Sequence, residues 1–256
     1  MTGQELNRLR LAIVFMTRLR IGGHANFEPA ELARAAKYFP LAGALVGLIA
    51  AAAILASSAV LPQPLPVVIG LATAVLLTGA LHEDGLADTA DGLFGGHTPE
   101  RRLEIMKDSR IGTFGVLALA TVLALKGTSL MAIDALSMAR VVIAAHAVAR
   151  FSCAAAMWAL PYVRPVSQSK YGALTVRVTF GEMLIALVLA LVIGVLAVQP
   201  VTLAFGVVAV AVGATLLGLV AKRRIGGVTG DVLGAIEQVS ETLFMIASAA
   251  VIAGPG

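Results

Sequence analysis

The chain has 256 residues, of which 59% are hydrophobic and 13% are charged, and its formal net charge is +4. A soluble domain carries about 25% charged residues, so this composition excludes an ordinary soluble protein and indicates a membrane protein. Aromatic residues make up only 5%, which argues against a surface that stacks nucleic-acid bases, and we expect no nucleic-acid partner. Cys153 is the single cysteine, which excludes disulfides and thiolate metal sites.

The chain begins with an amphipathic segment. Residues 4–21 interleave apolar positions with Arg8, Arg10, Arg18 and Arg20, a pattern typical of a helix that lies on the membrane surface. A solvated leader helix fits the same pattern. No A-x-A-like site follows an apolar core, so we expect no cleaved signal peptide.

Seven apolar segments follow, and a membrane-spanning helix needs about 20 mostly apolar residues. Three of the segments are short, so we predict six or seven transmembrane helices in an all-α, polytopic membrane protein that forms a single domain over residues 1–256. Besides its interfacial helix within residues 1–40, this domain would have two polar loops, 82–112 and 222–241. The apolar segments are 41–61, 66–81, 113–133, 138–160, 183–198, 200–221 and 242–253.

The basic residues predict the orientation of these spans. If the spans alternate, the Lys- and Arg-containing stretches share one side, and the turns at 62–66 and 199–200 on the other side carry no Lys or Arg. By the positive-inside rule, the basic side is the cytoplasm, and we expect a multi-pass protein of the inner membrane with residues 82–112 on the cytoplasmic face. The basic stretches are 1–40, 82–112, 161–182 and 222–224.

Residues 82–110 are the most polar part of the chain, with seven of its fifteen acidic residues. Asp84, Asp88 and Asp91 are spaced by four and three positions, so a helix would place their carboxylates on one face. Like charges in this arrangement repel unless a cation lies between them. Oxygen-only ligand sets suit Mg²⁺, with Mn²⁺ as a substitute, and the pattern therefore predicts a divalent-metal site.

A second short helix is predicted after the glycine-rich turn, with Thr98 as its N-cap and Pro99 in its first turn. We expect the turn to bring Glu104 and Asp108, four positions apart, towards the first three aspartates. Carboxylates that hold Mg²⁺ beside cationic side chains are the parts that phosphoryl transfer requires. A charged loop with helix-stabilising pairs is the alternative interpretation. The flanking cations that could hold phosphate oxygens are Arg101, Arg102, Lys107 and Arg110.

Charged residues also fall within the predicted spans. Lys126 lies near the outer end of the third span, where we expect its side chain to reach the interface. Arg140, His146 and Arg150 lie in the fourth, where charged groups usually face a polar cavity or a partner. Arg150 is the best placed of these for function, and we expect His146 to form an interhelical hydrogen bond.

A second polar stretch, residues 226–242, contains Asp231, Glu237 and Glu241. Glu237 and Glu241 are spaced for one helix face, and the preceding glycines suit a loop in close contact with a ligand. An ordinary turn at the membrane edge is the alternative. In the loop 161–172, Arg164 and Lys170 are candidate phosphate contacts or, alternatively, ordinary topology signals of a cytoplasmic loop.

Two blocks carry a family resemblance. Residues 81–115, LHEDGLADTADGLFGGHTPERRLEIMKDSRIGTFG, resemble the signature of the cobalamin synthase family, the adenosylcobinamide-GDP ribazoletransferases. Residues 226–241, GGVTGDVLGAIEQVSE, resemble the second block of that family, and the amphipathic start, length and number of spans also fit. The resemblance implies transfer of the cobinamide-phosphate group of adenosylcobinamide-GDP to α-ribazole or α-ribazole 5′-phosphate, with Mg²⁺ as cofactor and GMP as second product.

The resemblance also implies roles for individual residues. The metal ligands would be Asp84, Asp88, Asp91 and Asp108. Catalytic roles would fall to Asp91, Asp108 and Lys107. Substrate would be bound by His82, Arg101, Arg110, Arg150, Asp231 and Glu237. We expect the protein to lie in the lipid bilayer, and a homo-oligomer is possible.

Two other functions are weighed against this one. In CDP-alcohol phosphotransferases the motif also starts with Asp-Gly, as at Asp84, but it requires Arg where this chain has Asp88, and its Gly-x-x-x-Asp-x-x-x-Asp half is absent. A cation-coupled transporter would place carboxylates at the middle of the membrane between broken helices, whereas these acids cluster in one predicted loop.

Overall fold

Within the described part of the chain, residues 3–22, 28–163 and 176–254, the computed structural model is built from α-helices. The β-type pairing found there is an isolated bridge between Tyr162 and Val228. The predicted all-α fold class is therefore confirmed. In chain order the helices are α1 (Gly3–Met16), α2 (Pro29–Ala35), a 3-10 turn (Ala36–Tyr38), α3 (Phe39–Ser58), α4 (Leu65–Thr78), α5 (Leu81–Gly95), α6 (Pro99–Ile105), α7 (Thr113–Met131), α8 (Ala135–Ala159), α9 (Phe180–Ala197), α10 (Pro200–Ile225) and α11 (Gly230–Ala253).

Among the described residues, six helical runs are long and apolar enough to cross a membrane. One run joins α2, the 3-10 turn and α3 (Pro29–Ser58), and the others are α7, α8, α9, α10 and α11. Helices α4 and α5 pass the same test together but are bent by 88° at the break between them, so the pair is either a broken span or a re-entrant loop. The prediction of a polytopic membrane protein with six or seven spans is confirmed.

Gly79 and Ala80 form the bend between α4 and α5. Their φ angles are 65° and 57°, in the left-handed region that glycine adopts readily. Their N–H groups donate to the carbonyls of Leu76 and Val75 at 3.3 and 3.0 Å and so close the end of α4. As a result α5, which carries the acidic sequence, turns away from α4 and packs against α7 and α11.

Two glycines bring α5 and α11 into direct backbone contact. A Cβ added to Gly85 would lie 2.7 Å from the carbonyl oxygen of Asp231, and one added to Gly234 would lie 3.2 Å from the Cα of His82. No larger side chain fits at Gly85 without separating the helices. The acidic helix is therefore held closely against the start of α11.

The prediction of a loop over residues 222–241 is wrong for most of its length, because α11 begins at Gly230 and runs without a break to Ala253. Thr229 caps the helix by accepting a hydrogen bond from the Val232 N–H at 3.2 Å. The polar side chains that suggested a loop are buried against neighbouring helices, where they have partners. Polar residues in a membrane helix need such partners rather than water.

Helix α1 is docked on the start of the first span by ion pairs. The Lys37 ammonium lies 2.7 Å from Glu5, and Arg8 Nε lies 3.0 Å from a carboxylate oxygen of Glu31. The apolar face of α1 is buried against the bundle. This helix ends at Met16, so it covers the first part of the predicted segment 4–21.

Candidate active site

A cavity of about 600 Å³ is formed where α5 meets the start of α11 and the linker between α6 and α7. It collects carboxylates from three separate parts of the chain, and Lys107 and His82 also line it. The structure thus brings together the acidic residues before and after the glycine-rich turn. The cavity-lining carboxylates are Glu83, Asp84, Asp88, Asp108 and Asp231.

Apolar side chains from α1, α3 and α8 form another part of the cavity wall. Phe15 and Phe39 stack on each other with ring centroids 5.9 Å apart and an interplanar angle of 12°. Met16 and Met157 complete this apolar part. The cavity therefore combines a charged wall with an apolar wall.

Asp108 and Arg110 form an exposed ion pair at the polar side. Arg110 donates to Asp108 through Nη2 at 2.6 Å, Nε at 3.0 Å and its backbone N–H at 3.0 Å. These hydrogen bonds lower the pKa of Asp108 to about 2. Asp108 and Lys107 follow the end of α6 instead of lying within it, because that helix is shorter than predicted.

The structure places Asp91 apart from the cavity-lining carboxylates. Its Oδ2 accepts from the Gly112 N–H at 2.7 Å and its Oδ1 accepts from the Gly115 N–H at 2.9 Å. Both donors belong to the start of α7, where N–H groups lack partners within the helix. Asp91, predicted to bind metal and to act in catalysis, thus binds the first turn of α7 with both oxygens.

Two more predicted residues lie on the outer surface of α6. Arg101 and Glu104 pair with each other at 3.0 Å, and each side chain is 65% exposed. The expectation that Glu104 joins the aspartates is wrong. Arg102 instead donates to the Arg224 carbonyl at 3.0 Å and so fastens α6 to the end of α10. Thr98 caps α6 as predicted, accepting from the Arg101 N–H at 3.2 Å.

A buried network of ionisable side chains lies beside the cavity, between α7, α8 and α11. Arg150 Nη1 lies 2.8 Å from Glu237 Oε1, and His146 Nδ1 lies 2.6 Å from Glu241 Oε2. Arg150 also donates to the His146 carbonyl at 3.1 Å. As predicted, His146 makes an interhelical contact, and Arg150 faces polar partners inside the bundle.

Lys126 belongs to the same network, and the expectation that its side chain reaches the interface is wrong. The residue is 2% exposed, and its Nζ donates to Gln238 Oε1 and Glu241 Oε1, both at 2.7 Å. The face of α7 that carries Lys126 is turned towards α11. An ammonium group at this depth gains more from two acceptors than from extension along the lipid.

The distances within one part of this network would allow a metal ion, since one ligand atom from each of Glu237, Glu241 and His146 lies within 4.8 Å of the others. The surrounding charges argue against this. Two carboxylates are matched by two buried cations, Lys126 and Arg150, at 2.7 and 2.8 Å. A further divalent cation would have to displace them, so we interpret this cluster as a charge-balanced network and not as a metal site.

The network reaches the cavity wall through two adjacent residues of α5. His82 Nδ1 lies 3.9 Å from Glu237 Oε2, and Glu83 Oε1 accepts from Gln238 Nε2 at 3.1 Å. Sequence reasoning assigned no role to Glu83 or Gln238. The available signal was the adjacent polar pair Glu237–Gln238 in the second polar stretch, which could contact the polar residues His82 and Glu83 of the acidic motif.

The other candidates lie away from this region. Arg140 is exposed near the start of α8, the end opposite to the cavity-lining Met157. Arg164 and Lys170, the candidate phosphate contacts of the loop 161–172, lie outside the described residues.

Comparison with known proteins gives consistent matches over the chain. The model of the family described as cobalamin-5-phosphate synthase matches residues 8–249. An adenosylcobinamide-GDP ribazoletransferase of Bradyrhizobium diazoefficiens is 42% identical over 245 residues, covering 94% of this chain and 93% of the relative. Proteins with the same name from Ralstonia pickettii and Shewanella amazonensis are 41% and 39% identical, covering 91% and 93% of each chain. No solved structure matches.

Proposed function

The chain belongs to the cobalamin-5-phosphate synthase family, and we propose that it transfers the cobinamide-phosphate group of adenosylcobinamide-GDP to α-ribazole or α-ribazole 5′-phosphate, with release of GMP. The observation that carries the proposal is the cavity in which carboxylates of α5, of the α6–α7 linker and of α11 meet Lys107. A membrane-edge cavity with one charged and one apolar wall suits a substrate that joins a pyrophosphate to large organic groups.

We propose Mg²⁺, with Mn²⁺ as a substitute, as the cofactor of this cavity. The donor set fits, because the charged wall offers several carboxylates and hard cations prefer oxygen ligands. When bound, the cation would neutralise phosphate oxygens and orient the pyrophosphate. Asp91 is left out of the set because both of its oxygens bind the start of α7. The cavity-lining aspartates Asp84, Asp88, Asp108 and Asp231 would hold the ion, and Glu83 lines the same cavity.

The proposed reaction is an in-line displacement at phosphorus. A hydroxyl oxygen of α-ribazole forms a bond to the phosphorus attached to cobinamide, the bond from that phosphorus to the oxygen of GMP breaks, and the hydroxyl proton is released. Lys107 would bind phosphate oxygens, which would favour substrate binding and stabilise the negative charge that develops on those oxygens in the transition state. Asp108, whose pKa Arg110 lowers to about 2, would stay charged, which suits ion binding better than proton uptake.

The apolar part of the wall has a chemical role in this scheme. Phe15, Met16 and Phe39 line the cavity, and water admitted there would compete with the ribazole hydroxyl for the same phosphorus. Excluding water also strengthens the charge interactions of the polar wall. We therefore propose that this wall favours transfer over hydrolysis.

We further propose that the cavity faces the cytoplasm from the inner membrane. The helix ends near the cavity include the basic end of α10, as the positive-inside rule requires of a cytoplasmic face. His97 is exposed beside this region, and the single native cysteine, Cys153, is buried. A His97→Cys variant should react with an impermeant maleimide in inside-out vesicles, and reaction only in right-side-out vesicles would reverse the orientation.

The activity itself is tested with purified protein in detergent or proteoliposomes. Incubation with adenosylcobinamide-GDP, α-ribazole and Mg²⁺ should release GMP and form the ribazole-linked corrinoid. Absence of both products from folded protein would contradict the proposal.

A further inference from the structure

Gln238 is held in a single orientation by its neighbours. Its Oε1 accepts a hydrogen bond from the Lys126 ammonium at 2.7 Å, and an ammonium group can only donate. The amide nitrogen of Gln238 must therefore point the other way. Nε2 donates to Glu83 Oε1 at 3.1 Å and to Glu237 Oε2 at 3.0 Å. Lys126 thus decides that Gln238 presents a donor, and not an acceptor, to Glu83.

Glu83 is the member of this network that lines the cavity. Its Oε1 is bound by Gln238, whereas its Oε2 is shielded from solvent and has no hydrogen-bond partner among the described residues. A carboxylate oxygen shielded in this way is costly unless a positive group is close to it.

The charges of the buried network show that it has no cation left for Glu83. The buried carboxylates Glu237 and Glu241 are matched by the buried cations Arg150 and Lys126. Glu83 adds one further carboxylate that this balance does not cover. Glu83 lines the same cavity as the carboxylates that we propose to hold the cation.

We propose that Gln238, oriented by Lys126, is a positioning residue that fixes the Glu83 carboxylate toward a divalent cation bound in the cavity. This inference rests on the proposed Mg²⁺-dependent function. Groups that hydrogen-bond a metal-binding carboxylate set its direction, and their loss typically weakens metal binding by roughly 10–100-fold. A buried contact between α11 and α7 thereby tunes a site on the surface of α5.

Mn²⁺ alone is the probe, with free and bound ion measured by electron paramagnetic resonance on purified protein. In Gln238→Leu, Glu83 loses its donor while the Lys126–Glu241 pair remains, and the Mn²⁺ dissociation constant should rise about 10–100-fold. Glu83→Gln should weaken Mn²⁺ binding at least as much. Excess Mg²⁺ should restore turnover in Gln238→Leu, a recovery that a merely unfolded or distorted protein would not show.

Ser240→Ala is the matched control. Ser240 lies on the same helix and its hydroxyl donates to Ser152 Oγ at 3.0 Å, so this variant also loses a buried interhelical hydrogen bond but no contact to Glu83. Its Mn²⁺ dissociation constant should equal that of the unchanged protein. If Gln238→Leu does not fold, Glu83→Gln decides the question, because Lys126 and Gln238 keep their mutual contact.

The role of Lys126 is tested with a charge-balanced variant, because Lys126→Met alone would leave Glu241 buried without its ammonium partner. Lys126→Met combined with Glu241→Gln removes both charges, and we expect Mn²⁺ binding about 10–100-fold weaker than in the unchanged protein.

Mn²⁺ affinity within twofold of the unchanged protein in folded Gln238→Leu or Glu83→Gln would overturn the inference. Failure of the unchanged protein to bind Mn²⁺ would overturn it too, whereas GMP release by that protein tests the proposed function separately.

Discussion

Arg150 and Glu237 form an ion pair between α8 and α11, with Nη1 2.8 Å from Oε1 and side chains that are 1% and 0% exposed. Both charges are removed from water and from lipid, so each depends on the other. Removing one partner of a buried pair typically costs about 3–5 kcal/mol, whereas replacing both by apolar groups is often neutral.

We therefore expect Arg150→Met to lower the free energy of unfolding by about 3–5 kcal/mol, measured by denaturant titration in detergent. The double variant Arg150→Met/Glu237→Met should recover most of this loss, because no unpaired charge is left. A double variant as unstable as the single one would show that the pair is not the source of the stability.

Asp91 gives a second stability prediction. Asp91→Ala leaves the N–H groups of Gly112 and Gly115 without their acceptor, and loss of such a partner costs about 1–3 kcal/mol. The thermal midpoint should fall accordingly. Because Asp91 would act through α7 and not through the ion, Mn²⁺ affinity of the folded fraction should change little. A large loss of Mn²⁺ affinity without loss of stability would instead indicate that Asp91 is a metal ligand.

The matched control for Asp91→Ala is Asp134→Ala. Asp134 caps α8 by accepting from the N–H groups of Leu136 and Ser137 at 3.0 and 3.1 Å, at the end of the helix opposite to the cavity. Loss of an N-cap typically costs about 1 kcal/mol, and no effect on GMP release is expected.

The cavity carboxylates are predicted to be needed for turnover and not for folding. Asp84 is exposed and Asp88 is half-buried, so Asp84→Asn and Asp88→Asn should insert and fold normally. GMP release should fall by more than about 100-fold, beyond the 10–100-fold typical of groups that only support a ligand. Glu104→Gln, in the same acidic segment but paired with Arg101 on the surface, should keep full activity. Full activity in both Asp84→Asn and Asp88→Asn would contradict the metal assignment.

The docking of α1 should depend on pH through Glu5. The hydrogen bond from Lys37, followed by that from Tyr38, lowers the pKa of Glu5 to about 2 from an ordinary value of 4.5. A lowered pKa stabilises the docked helix fully above pH 4.5, and this stabilisation is lost as the pH falls towards 2. The protection of the α1 amides against hydrogen exchange, taken relative to the intrinsic exchange rate at each pH, should therefore fall between pH 4.5 and pH 2 more than in Glu5→Gln. Identical pH profiles would contradict this role.

The membrane fold was predictable because lipid demands long apolar helices, and the composition and the charged ends of the segments show them directly. The acidic motif was predictable as a candidate site for a related reason, since carboxylates such as Asp84 and Asp88 are costly beside a membrane span unless they have a function. Asp108 was placed correctly beside them, although it follows the end of α6 and is not in the helix.

The errors came from polar residues whose partners are distant in sequence. Lys126 looked like a residue at the membrane edge because nothing near it in sequence accepts its hydrogen bonds, yet Gln238 and Glu241 do so from α11. Those same acceptors made the first half of α11 look like a loop. Asp91 shares the spacing of Asp84 and Asp88, and only the fold shows that it binds the start of α7.

The release of GMP from adenosylcobinamide-GDP by the purified protein tests the central claim most directly. With α-ribazole and Mg²⁺ present, GMP and the ribazole-linked corrinoid should form in equal amounts, and omission of α-ribazole should abolish both. Folded protein that releases no GMP, or that releases GMP without forming the linked corrinoid, would contradict the assignment of this cavity to ribazole transfer.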